Sequence, residues 1–126
     1  MKFIAATLAT LSMLVSPSSQ ADPAKREDVR MVAPALEKYA QSMLLGDVWN
    51  RPGLSVRDRS LVTVSALVAS GQVAQLTGHL NIGMNNGLTQ SEIAEAITHL
   101  AFYGGWPNVF SAMPVAKEVF EKRPRQ

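Results

Sequence analysis

The feature that most constrains the fold is the spacing of apolar residues, which recurs at helical intervals between glycine and proline breaks. In the first such segment the apolar residues are three or four positions apart, which places them on one helix face (Val29, Val32, Leu36, Tyr39 and Met43). Pro34 interrupts this segment but is tolerated in a first helical turn. We therefore expect a helix over 34–45, ended by Gly46.

Capping patterns predict where later helices begin. In Ser55–Asp58 and Thr89–Glu92, a hydroxyl and a carboxylate three residues apart can satisfy N–H groups that a first helical turn leaves free. These starts and the glycine breaks predict helices over 55–70, 72–86, 89–103 and 107–122, the last with a kink or restart at Pro114. No segment alternates apolar and polar residues as a strand does. The predicted fold is all-α, a single-domain bundle of about five helices.

The N-terminal residues have the order of a secretory signal peptide. Lys2 precedes an apolar run over 3–15, and a small-x-small cleavage pattern ends at Ala21. The run is shorter than the roughly 20 residues that span a membrane, so we expect cleavage and no stable membrane insertion. A buried N-terminal helix is the alternative. The expected division is a signal peptide over 1–21, a flexible segment over 22–33, one domain over 34–122 and a basic tail over 123–126, in a periplasmic or secreted protein.

Composition excludes several classes of function. The formal net charge is +2, which is too small for the electrostatic footprint of a nucleic-acid-binding protein. The sequence contains no cysteine, so disulfides and thiol chemistry are excluded. Its two histidines, His79 and His99, lie on different predicted helices without an acidic residue at ligand spacing. We therefore expect no metal site.

A polar stripe on the third predicted helix is the strongest candidate for a site. At 100° per residue its members share one narrow face directly beside the apolar one (Gln72, Gln75, His79, Gly83 and Asn86). A border position suits a partly buried pocket, in which His79 transfers protons near neutral pH and Gln75 binds a ligand oxygen. A hydrogen-bonded structural histidine is the alternative. Gly83, without a side chain, is expected to leave space one turn beyond His79.

Two arginines lie in the first turn of the second predicted helix. Positive charge there opposes the helix dipole, so Arg57 and Arg59 should have an anion nearby. Arginine forks and free N–H groups together bind carboxylates. Pairing with Asp58, with Asp47 or with an acidic residue of another subunit explains the pattern equally well.

Aromatic and acidic residues near the end of the fourth predicted helix form a third group. Glu95, His99 and Tyr103 follow one another at one-turn intervals, an arrangement more typical of a solvated or interface histidine than of catalysis. Trp106, after Gly104–Gly105, either closes a pocket or packs in the core. Both interpretations of each residue remain open.

Three motifs together resemble the carboxymuconolactone decarboxylase-like family of the alkylhydroperoxidase D-like superfamily. They are G-D-V-W-N-R-P-G-L-S-V-R-D-R-S-L (46–61), G-H-L-N-I-G-M-N-N-G-L-T-Q-S-E-I (78–93) and A-F-Y-G-G-W-P (101–107). The resemblance implies an all-helical fold and a homo-oligomer, a trimer or a hexamer. It also implies cofactor-free decarboxylation of a carboxylated lactone. Peroxide reduction in related proteins needs a C-x-x-C pair, and those positions hold Gln72 and Gln75 here.

Two functions are therefore carried forward. The first is a cofactor-free lyase or isomerase acting on a small carboxylated lactone or enol acid. In it Arg59, with Arg57, binds a carboxylate, His79 moves the proton, Gln75 and Tyr103 orient a carbonyl, and Trp106 lines the pocket. The second is a non-catalytic periplasmic module that binds a ligand or supports assembly on the same scaffold.

Overall fold

The fold is entirely helical over residues 25–124, the part of the chain that this computed structural model describes. The predicted signal peptide lies outside the described residues. In chain order the helices are α1 (Arg26–Val32), α2 (Pro34–Tyr39), a π-helical turn (Ala40–Leu45), a 3-10 helix (Val48–Asn50), α3 (Val56–Ala69), α4 (Val73–Asn85), α5 (Gln90–Tyr103) and α6 (Trp106–Glu121). The all-α prediction is confirmed. None of these helices is long and apolar enough to cross a bilayer.

The predicted capping residues do begin their helices. Ser55 Oγ accepts a hydrogen bond from the Asp58 N–H at 3.0 Å, at the start of α3. Thr89 Oγ1 accepts one from the Glu92 N–H at 3.1 Å, and the Glu92 carboxylate accepts one from the Thr89 N–H at 2.9 Å. This reciprocal pair satisfies two donors at the start of α5. Gly87, with φ +106°, makes the turn between α4 and α5 in a conformation that glycine adopts at little cost.

Helices α3 to α6 form the bundle that contains the core. Helix α4 packs against α3 and α6, and α5 packs against the same two helices. The core residues are apolar and almost completely inaccessible to solvent, and the largest of them are Leu76, Leu80, Leu88, Ile93, Val64 and Val68. The C-terminal ends of α3 and α5 approach each other closely. A Cβ on Gly104 would lie 2.9 Å from Ala69 Cα. The bundle is therefore tightly closed at that end.

A kink or a restart was predicted at Pro114, and of the two the restart does not occur, because α6 continues through this residue. A proline in a helix removes the hydrogen bond to the carbonyl four residues earlier, here that of Phe110. Both residues are solvent-exposed, so water can satisfy that carbonyl. Asn108 secures the beginning of the helix, because its side-chain Nδ2 donates to the Ala69 carbonyl at 2.7 Å and to the Gly104 carbonyl at 3.1 Å.

Within the segment over 22–33 that the sequence predicts to be flexible, residues 26–32 form α1. The Asp28 carboxylate accepts a hydrogen bond from the Lys25 N–H at 2.9 Å and caps this helix. Glu37, the buried residue of α2, then holds the two helices together: its carboxylate accepts hydrogen bonds from Arg26 Nη2 at 3.0 Å and from Gln41 Nε2 at 3.3 Å. Sequence spacing alone does not reveal this long-range ion cluster.

We call residues 26–45 the arm. Its helices pack against each other and against the π-helical turn, and the 3-10 helix is the element that links this segment to α3. Apart from Glu37, the arm has no buried residue. The arm therefore contributes little to the core of its own chain.

Candidate functional site

The polar stripe of α4 lies at the border of the core, as its sequence position predicts. Burial varies along the stripe: Gln72 and Gln75 are exposed, His79 is half-buried, Gly83 is buried, and Asn86 is half-buried. On the neighbouring apolar face, Leu76, Leu80 and Met84 are buried. His79 is thus partly shielded from water but accessible from outside the chain.

The space predicted at Gly83 does not exist. A Cβ on Gly83 would lie 2.9 Å from Leu88 Cδ1 and 3.5 Å from Ser60 Cβ, because α3 and the residue after the α4–α5 turn close over it. Gly78 has the open position instead. It is exposed, and a Cβ there would meet no atom within 4 Å. The exposed surface of α4 next to His79 is therefore at Gly78 rather than at Gly83.

Asn86, at the end of the stripe, has a structural role. Its side-chain Nδ2 donates to Ser60 Oγ at 2.9 Å, and that buried hydroxyl donates to the Val56 carbonyl at 2.9 Å. These bonds fasten the end of α4 to the first turn of α3. The part of the stripe that remains available to a ligand consists of Gln72, Gln75 and His79, with the exposed Gly78 next to it on α4.

Arg57 is neutralised within the chain. Its guanidinium donates to the Asp58 carboxylate at 2.8 Å and also to the Glu92 carboxylate. The hydrogen bond to Asp58, followed by the charge of Glu92, raises the pKa of Arg57. The backbone N–H of Thr89 is the main cause that lowers the pKa of Glu92, and Arg57 lowers it further. Pairing with acidic side chains therefore explains Arg57 better than ligand binding does.

Arg59 has a different environment. Its Nη2 donates to the Arg51 carbonyl at 2.9 Å, while its Nε is buried without a hydrogen-bond partner. No acidic side chain among residues 25–124 lies within ion-pair distance of it. A half-buried guanidinium whose charge is not balanced retains the capacity to bind a carboxylate. Of the two predicted arginines, Arg59 is the better anion ligand.

A groove of about 570 Å³ runs between α3 and α5, and it combines charged and apolar residues. Arg57, Glu92, Glu95 and His99 are among its lining residues. The exposed His99 ring stacks on Tyr103, with 4.7 Å between ring centroids. The sequence signal for this groove is the one-turn spacing of Glu95, His99 and Tyr103, but it does not show that α3 supplies the facing wall.

A larger groove of about 900 Å³ runs between α5 and α6. Trp106 lines it, 5.8 Å from the Phe102 ring and 6.0 Å from the Phe110 ring, measured between centroids. Trp106 is exposed, so it is not a core residue here.

The six predicted site residues are distributed over several surfaces of one chain. His79 and Gln75 lie one turn apart on α4, Arg59 lies on α3, and Tyr103 contacts His99 on α5. Each of the two grooves contains one of the six, Arg57 in the first and Trp106 in the second, and neither contains His79. Among the described residues, neither groove therefore forms a pocket around His79.

Comparison with known sequences decides the family. The sequence model that describes the carboxymuconolactone decarboxylase family matches residues 34–118 of this chain. The chain belongs to this family.

The chain is similar to three relatives, of which two are named as decarboxylases. The chain is 46% identical over 85 residues to 4-carboxymuconolactone decarboxylase of Acinetobacter baylyi, covering 68% of this chain and 63% of that protein. It is 40% identical over 73 residues to nitrosuccinic acid decarboxylase of Metarhizium robertsii, covering 58% and 51%. It is 31% identical over 91 residues to an uncharacterized 15.0 kDa protein of Paracoccus denitrificans, covering 71% and 68%. The chain thus spans less than two thirds of either decarboxylase.

Proposed function

We propose that this family member is a cofactor-free carboxy-lyase that removes CO2 from a small acid carrying a second electron-withdrawing group. The names of two relatives support this proposal, since both are decarboxylases. Their named substrates share a chemical logic: a lactone accompanies the carboxylate in one, and a nitro group does so in the other. Such a group accepts the electron pair that is left when CO2 departs.

The observation that carries the proposal is the position of His79, half-buried at the edge of the core beside the opening at Gly78. In the proposed reaction Arg59 binds a carboxylate of the substrate. The bond between the substrate carbon and the departing CO2 breaks, and its electron pair moves onto the lactone carbonyl or nitro group. Gln75 donates a hydrogen bond to that group. His79 then delivers a proton to the carbon adjacent to that group, a contribution typically worth about 10²–10⁴-fold in rate.

Tyr103 and Trp106 can contribute to the proposed site only if the protein forms a homo-oligomer. Neither of the two grooves joins either residue to His79, so they would reach the site from a neighbouring subunit. We accordingly propose a homo-oligomer, a trimer or a hexamer as the family resemblance implies. We also propose that the protein acts in the periplasm or after secretion, which N-terminal sequencing of the mature protein from fractionated cells would test.

Arg57 and Arg59 provide a matched pair of variants for testing the proposal. CO2 release is measured with 4-carboxymuconolactone and nitrosuccinic acid as probes, for the wild type, Arg59→Gln and Arg57→Gln. We expect Arg59→Gln to raise KM at least tenfold, because a charge-assisted bond to the carboxylate is lost. Arg57→Gln should lower stability and leave KM within about twofold, because Arg57 is already occupied by Glu92 and Asp58.

The opposite result, an increase in KM for Arg57→Gln alone, would transfer carboxylate binding to the α3–α5 groove. If the wild type releases no CO2 from either probe and its melting temperature does not shift with these or other small dicarboxylic acids, the assembly-module alternative is supported instead. A ligand present at 100 times its Kd should stabilise the protein by about 2.7 kcal/mol.

A further inference from the structure

The arm presents apolar side chains that nothing in its own chain covers. Met31 is 79% exposed and Val32 is 85% exposed. Further along, Leu36, Tyr39 and Met43 are exposed at steps of three and four residues, the spacing of a helix face that packs on a partner. The charged cluster around Glu37 holds α1 against α2, so this face is preformed rather than loosely attached.

The α5–α6 groove is a second uncovered apolar surface. Phe102, Trp106 and Phe110 line its side and are 75%, 55% and 64% exposed, respectively. Its floor is the outer edge of the core, where Ile97, Ala101 and Val109 are buried. An aromatic row of this size on a single chain marks an interaction surface, since such patches seldom remain exposed in monomers.

We propose that the arm of one copy of this chain lies in the α5–α6 groove of a second copy. This inference does not depend on the proposed decarboxylation, because the exposure of the arm and of the groove supports it without any catalytic residue. Trp106 is the one groove residue that also has a proposed place in the wall of the site. The lengths are compatible: α2 with the π-helical turn has 12 residues from Pro34 to Leu45, which span at most about 18 Å at the α-helical rise of 1.5 Å per residue. The 16 residues of α6 provide a groove of about 24 Å.

The area supports a second copy as the occupant. At about 200 Å² for each aromatic side chain, the exposed parts of the three groove rings amount to roughly 400 Å². The apolar face of the arm adds a similar amount, so one arm in one groove removes roughly 800–900 Å² from water. A stable interface requires about 1,200–2,000 Å². If each copy both donates an arm and receives one, two such contacts form between a reciprocal pair, and their combined area falls within that range.

Equal stoichiometry gives a further reason. Both surfaces belong to every chain, so a second copy always supplies one arm for each groove. In a reciprocal pair and in a closed ring alike, each copy buries its own arm and its own groove. Direct pairing of two grooves would leave the arm's apolar face in water. The arm-in-groove contact covers both surfaces at once.

The absence of cysteine makes the contact directly measurable. Two full-length single variants, Leu36→Cys and Phe110→Cys, are purified separately, mixed and treated with a short bismaleimide that tolerates small errors in register. Val62→Cys replaces Leu36→Cys in the control mixture, since Val62 is a comparably exposed apolar residue on α3 outside both surfaces. Subunits are exchanged by brief dilution in mild denaturant before cross-linking. Sedimentation velocity of the wild type and of Leu36→Asp accompanies the cross-linking.

We expect covalent dimers from the Leu36→Cys and Phe110→Cys mixture, few from either variant alone, and few from the control mixture. Leu36→Asp should shift the wild-type assembly to a smaller mass while leaving helicity unchanged. A monomeric wild type would overturn the proposal. So would efficient cross-linking of Phe110→Cys to itself, which indicates groove-to-groove pairing, or an assembly that Leu36→Asp does not disturb. A wild-type protein that forms this contact but releases no CO2 from the probes would count against the proposed reaction alone.

Discussion

Replacing Gly78 with alanine is expected to change stability and activity in opposite directions. Gly78 lies in the interior of α4 and is exposed, and a methyl group added to its Cα would meet no atom within 4 Å. A glycine within a helix is about 0.5–1 kcal/mol less favourable than alanine, because it loses more backbone freedom on folding. Gly78→Ala should therefore raise the free energy of unfolding by about 0.5–1 kcal/mol. For a domain of this size that corresponds to roughly 2–8 °C in Tm.

Gly104→Ala is the matched control, because the same added methyl has the opposite consequence there. Its Cβ would lie 2.9 Å from both Ala69 Cα and Ala69 Cβ, so backbone would have to move. Overpacking of this kind typically costs about 1–3 kcal/mol. Urea denaturation followed by circular dichroism should show a higher midpoint for Gly78→Ala and a lower one for Gly104→Ala, with little change in the slope m.

Activity should change in the opposite direction for Gly78→Ala. The methyl group occupies the accessible space beside His79, so we expect kcat/KM to fall about tenfold or more in spite of the gain in stability. If the variant is more stable and fully active, the substrate does not approach His79 along this side of α4. If it is less stable, another chain packs on Gly78, and the space we describe is an interface rather than a site.

Two further predictions concern the contacts that position α3. Ser60→Ala removes the buried hydroxyl that accepts a hydrogen bond from the Asn86 side chain. It should lower the free energy of unfolding by about 1–3 kcal/mol in urea denaturation. An unchanged midpoint would mean that this hydrogen bond does not contribute to stability. Because the folded-state pKa of Glu92 is lowered, its stabilising contribution is fully present above pH 4.5 and is lost as the pH falls through the lower folded-state value. Glu92→Gln should therefore flatten the loss of stability below pH 4.5, as acid titration followed by circular dichroism can show.

Local sequence rules predicted most of the bundle. The capping residues Ser55 and Thr89 act only on N–H groups of their own first turns, so the pattern in the sequence is sufficient to locate the starts of α3 and α5. The border position of His79 likewise follows from helical periodicity. These features depend on neighbours within four residues.

Features that depend on distant partners were not predictable in the same way. Helix α1 is held by Glu37, 11 residues from Arg26, and Arg57 is paired with Glu92, 35 residues away. Gly83 accommodates a side chain that arrives from beyond the next turn, that of Leu88. Periodicity shows which face a residue occupies but not which element lies opposite it. The sequence therefore left the role of Arg57 open, and the space expected at Gly83 was wrong.

The most direct test of the proposed chemistry compares the two histidines of the chain. CO2 release from 4-carboxymuconolactone and nitrosuccinic acid is measured for the wild type, His79→Gln and His99→Gln, after circular dichroism has shown that all three are folded. We expect the His79→Gln rate to fall by about 10²–10⁴-fold and the His99→Gln rate to stay close to that of the wild type. A His79→Gln protein that retains full turnover, or a His99→Gln protein that loses it, would contradict the assignment of proton transfer to the α4 stripe.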